Sequence, residues 1–98
     1  MFLAKVIGNV VATQKDPRLV GSKLLLIQPY VTKDEALVAS GSSIVAVDLL
    51  GAGRGECVLF TQGSSARLTP QTREQPIDAV IVGIVDTVEV GGREVAKP

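Results

Sequence analysis

The sequence predicts a mostly β chain, folded as a small barrel of five or six strands with one short helix. Three observations carry that expectation. Apolar residues make up 46% of the chain but aromatic ones only 3%, namely Phe2, Tyr30 and Phe60. Val is the commonest residue, and with Ile and Thr it favours extended backbone, because β-branched side chains pack well on a pleated surface. The apolar segments are of strand length and are separated by Gly and Pro turn signals. Finally, one stretch, residues 63–76, can hold a brief helix, and Pro70 limits it to a turn or two. A length of 98 residues sets one domain, 1–98, with a thin core.

The first strand is expected over residues 2–13, with Gly8 as a bend or close approach. Its core face would carry Phe2, Ala4, Val6, Val10 and Ala12. Asp16, Pro17 and Gly21 then form a loop. Residues 23–30, KLLLIQPY, are apolar on both faces, so a covering element or another subunit is expected there. Residues 32–41 read as a hairpin or an excursion of open form. A strand over residues 43–50 ends in Gly51, Gly53 and Gly55, three glycines in five residues that mark a tight turn. The next strand covers residues 56–61, followed by the brief helix capped by Ser64 or Ser65. A long last strand, residues 78–90, leads through Gly91 and Gly92 into a hairpin with residues 93–96.

Composition excludes several classes of function. Ten basic and ten acidic residues give no net charge, which argues against a nucleic-acid partner held by counterion release. It also removes the self-repulsion that keeps small proteins apart. There is no His and a single Cys, Cys57, so neither a disulfide framework nor a His-based metal site is expected, and Cys57 reads as a buried strand residue. The N-terminal stretch has no basic leader, and Lys5, Asn9 and Gln14 interrupt its apolar run. No signal peptide or membrane span is expected, and a cytoplasmic location is.

Three constellations are candidates for chemistry. The run GAGRGE at residues 51–56 has the glycine content of a phosphate cradle but neither the Lys and Ser/Thr of a P-loop nor the dinucleotide spacing, so it reads as a structural turn or subunit contact. Asp48, Glu56, Asp78 and Asp86 lie near strand ends, where two could converge as a carboxylate pair. Asp86 is expected to be buried and paired with Arg67 or Lys5. Ser64 and Ser65 read as caps, with no general base in view. No catalytic residue, cofactor or metal is assigned. A small barrel also invites an oligonucleotide-binding alternative, but three aromatics and no basic cluster oppose it.

Three segments in order, AKVIGNVVATQKDPRLVGSKLLLIQP at residues 4–29, VAVDLLGAGRGECVLFTQGSSAR at 45–67 and PIDAVIVGIVDTVEV at 76–90, resemble the bacterial microcompartment vertex proteins, the CcmL/EutN family. The resemblance covers nearly the whole chain. It implies a non-enzymatic shell component built on a barrel related to the oligonucleotide-binding architecture. It also implies that five copies cap the vertices of a polyhedral shell tiled by hexameric proteins, with a hexameric ring as the lesser alternative. No membrane or nucleic-acid partner is implied.

Carried onto this chain, Thr13, Lys15 and Lys23 match the first motif. Gly51, Ala52, Gly53, Gly55 and Glu56 match the glycine motif, and Ser64, Ser65 and Arg67 the segment after it. These are the residues expected at the subunit interface or ring interior. Residues 30–42 and the tail after Gly92 are where family members vary, so the type of compartment stays open. Association would bury the aliphatic surface that so small a chain cannot hide.

Overall fold

The computed structural model describes residues 1–12, 17, 23–63 and 78–95. Their strands are β1 (Phe2–Val10), β2 (Lys23–Lys33), β3 (Ala36–Ala39), β4 (Ile44–Asp48), β5 (Cys57–Gln62), β6 (Ala79–Val85), β7 (Val88–Val90) and β8 (Arg93–Val95). Six of them form one sheet in the order β1-β5-β6-β4-β2-β3, with β1 also paired to β2, and β7 and β8 form a second sheet. All pairings are antiparallel except β4 with β6, which meet in parallel at Val47↔Val80 and Asp48↔Ile81.

The mostly β character is as expected, but the strands number more than five or six and no short helix is found among the described residues. Among the described residues there are eight strands and no helix, and so no helix long and apolar enough to cross a membrane. The expected helix lies outside the described residues. The strand count rises because two long extended segments are broken. Asp34 and Glu35, at φ 53° and 60°, turn the chain from β2 back into β3, and Asp86 with Thr87 separates β6 from β7. The Gly91–Gly92 hairpin is where the sequence puts it, pairing Val90 with Arg93 and Val88 with Val95.

The core lies on the inner face of the sheet, where Ala4, Val6, Leu25, Ile27, Ala46, Ala52, Val58, Phe60, Ala79 and Ile81 are buried together. A second cluster, Val47 and Val80 with Leu24 and Val82, lies on the opposite face, in keeping with the two-faced hydrophobicity of residues 23–30.

The core face of β1 departs from simple alternation for a definite reason. Val6 pairs with Ile27 but Gly8 pairs with Leu26, so Ile7 is an extra residue that forms a β-bulge. One added residue reverses the facing of everything beyond it. Val10 therefore stands opposite Leu24 and away from the core, and Ala12 is exposed. Phe2 is 52% exposed, yet its ring meets that of the buried Phe60 at 5.5 Å between centroids. Asp86 is exposed and makes no ion pair with Lys5, while Arg67 lies outside the described residues. The buried acid is Asp48 instead.

Candidate functional site

Strand β4 ends at Asp48, whose side chain has no exposed surface. A buried carboxylate costs several kcal/mol unless donors surround it, and the chain immediately supplies them. The backbone N–H of Leu50 donates to Oδ1 at 2.9 Å and that of Ala52 to Oδ2 at 2.8 Å. This is the Asx geometry that lets an Asp side chain shape the turn following it. Ala52 is thereby drawn into the core, fully buried.

Lys23 stands opposite Asp48 in the β2–β4 register. Its Nζ donates to the Ala52 carbonyl at 2.9 Å and lies 3.9 Å from Asp48 Oδ2. Because the Lys23 side chain is half exposed and the ion pair is long, its main contribution is the hydrogen bond to the Ala52 carbonyl.

The remainder of the loop is fastened in two further ways. The Gly53 N–H donates to Glu56 Oε1 at 2.6 Å, and the Glu56 N–H donates back to the Gly53 carbonyl at 3.1 Å. Gly55, at φ 91°, donates to the Val6 carbonyl at 2.8 Å, and the Val6 N–H donates to the Glu56 carbonyl at 2.9 Å. The loop is thus stitched onto β1 just before the bulge.

Of the expected site residues, Lys23, Gly51, Ala52, Gly53, Gly55 and Glu56 come together in this one loop. Thr13, Lys15, Ser64, Ser65 and Arg67 lie outside the described residues. Sequence reasoning weighed Asp48 only as half of a carboxylate pair and missed its part in the loop. The signal was the run Asp-Leu-Leu-Gly-Ala-Gly, an Asp set just ahead of a glycine turn.

The arrangement also bears on the rival chemistries. A phosphate cradle needs backbone N–H groups aimed at an open space, but those of Leu50, Ala52, Gly53 and Gly55 already donate to protein oxygens. Both oxygens of Asp48 are engaged, so it is not poised as a base. At the far end of the sheet, all three aromatics, Phe2, Tyr30 and Phe60, line one groove. None of its described lining residues is Lys or Arg, whereas single-strand binding sites combine stacking surface with positive charge.

The loop is thus held to the sheet from several sides, by Asp48, Lys23, Glu56 and the backbone of β1. Comparison with known proteins gives the class. Residues 1–86 match the family described as ethanolamine utilisation protein EutN/carboxysome. The chain is 52% identical over 90 residues to the microcompartment shell vertex protein PduN of Salmonella typhimurium, covering 90% of this chain and 98% of that one. It superposes on the carboxysome protein CcmL of Gloeobacter violaceus with a TM-score of 0.85 at 45% identity, covering 96% and 94% of the two chains. On the pentameric shell protein GrpN of Rhodospirillum rubrum the TM-score is 0.79 at 50% identity, covering 92% and 99%.

The fold is therefore that of a microcompartment shell component. The chain belongs to the EutN/CcmL family of shell vertex proteins, whose members are structural and non-catalytic.

Proposed function

We propose that this chain, acting as a single domain over residues 1–98, assembles as a homopentamer that closes a vertex of a polyhedral microcompartment shell in the cytoplasm. At its rim the ring would join hexameric shell proteins. The loop at residues 51–56, with Lys23, would form part of the contact between neighbouring copies, together with Thr13, Lys15, Ser64, Ser65 and Arg67. The observation that supports this reading is the fastening of the loop by Asp48, Lys23, Glu56 and β1. A ring closes only if one unlike-to-unlike contact repeats through a fixed rotation, and a surface that sets an angle must hold its shape. The similarity to a relative described as pentameric adds the copy number.

Native mass spectrometry of the purified chain tests the proposal. Five copies of the 10.2 kDa subunit are expected. A six-membered ring or a stable monomer at micromolar concentration would overturn it.

A further inference from the structure

Two cations share one groove without a counter-ion among the described residues. Lys5 on β1 and Arg54 at the tip of the glycine loop line an open groove with Val6, Ile7 and Gly55, beside the bulge. Far apart in sequence, they are brought together by the paired backbone bonds between Val6 and residues 55 and 56. Neither side chain makes a hydrogen bond or ion pair among the described residues. The residues opposite Lys5 on the adjoining strands are Gln28 and Cys57, both uncharged.

The acids of the adjoining loop already accept backbone N–H groups. Asp48 accepts from Leu50 and Ala52, and Glu56 Oε1 accepts from Gly53. No described lining residue is acidic, although the chain as a whole has as many acids as bases. Ile7, 41% exposed, gives the groove an apolar wall, which strengthens charge-assisted hydrogen bonds formed against it.

We propose that this groove is an oxyanion site for a carboxylate- or phosphate-class group. The Arg54 guanidinium supplies the planar fork that matches two oxygens, and the Lys5 ammonium supplies a point charge. The oxyanion comes either from a small free anion or from an acidic side chain of a neighbouring copy.

The test combines calorimetric titration of the assembled protein with inorganic phosphate and the ring's assembly constant at low and high salt, for wild type, Lys5→Gln and Arg54→Gln. Thermal melting of each variant checks that it remains folded. A free-anion site gives saturable phosphate binding in the millimolar range, weakened about tenfold by each substitution. A neighbour's carboxylate gives no phosphate uptake by the wild-type ring, with each substitution weakening assembly about tenfold at low salt and little at high salt. Absence of phosphate binding together with an unchanged salt response in both variants overturns the proposal. A chain that proved monomeric would fail the pentamer reading and leave the phosphate titration to decide this one.

Discussion

The two glycine turns of this protein look alike in sequence and are held in opposite ways. Gly91 and Gly92, at φ 62° and 78°, link two three-residue strands through a two-residue reversal. The loop at residues 51–56 also contains glycines at positive φ, but its shape is imposed from outside by a buried Asp, a Lys from another strand and the backbone of β1. Glycine permits a conformation; neighbouring donors and acceptors select it. The first turn is a local matter, whereas the second is joined to the fold.

The strongest way to break this contrast is Asp48→Ala. It removes the acceptor for two N–H groups, one of them buried, and should cost about 3 kcal/mol in denaturant unfolding. A loss below about 1 kcal/mol would mean that the glycine loop holds its own shape, as the hairpin does.

Next in size, Gly55→Ala should cost about 2 kcal/mol. Nothing lies within 4 Å of the added methyl, so the effect is backbone strain that the bond to Val6 keeps from relaxing. In a ring whose contact includes this loop, it should also lower the fraction of pentamer seen by native mass spectrometry. The matching substitution Gly92→Ala also meets open space at positive φ, but in a two-residue hairpin turn, and should cost about 1 kcal/mol with the oligomeric mass unchanged. Equal losses at the two sites, measured by the same unfolding curves, would erase the distinction.

How much of this was legible in the sequence follows the same division. Features set by local chemistry were readable: the Gly91–Gly92 hairpin, the extended apolar run from Lys23, and the clustering of the 51–56 motif into one loop. Features set by partners distant in sequence were not. Asp48 and Asp86 each follow a Val at the end of a strand, and their difference lies in what comes next. Asp48 is followed by a turn that offers it N–H groups, whereas Asp86 precedes another extended segment. The bulge at Ile7 exists only in the pairing with β2, so the sequence alternation alone put Val10 on the wrong face. Residues 32–41 read as a hairpin or an excursion, and the hairpin is what forms; its form stayed open because two acidic residues occupy a left-handed turn normally announced by Gly or Asn.

The pairing pattern has a consequence for life at high local concentration. The described strands β1, β5, β6, β4 and β2 each have a partner on both sides, so the open edges among them belong to β3, four residues long, and to the three-residue β7 and β8. Long unpaired edges are templates on which one chain adds to another without limit. A protein whose work is to stand among identical copies is thereby protected from runaway strand addition, and its surface side chains are left to decide where growth stops.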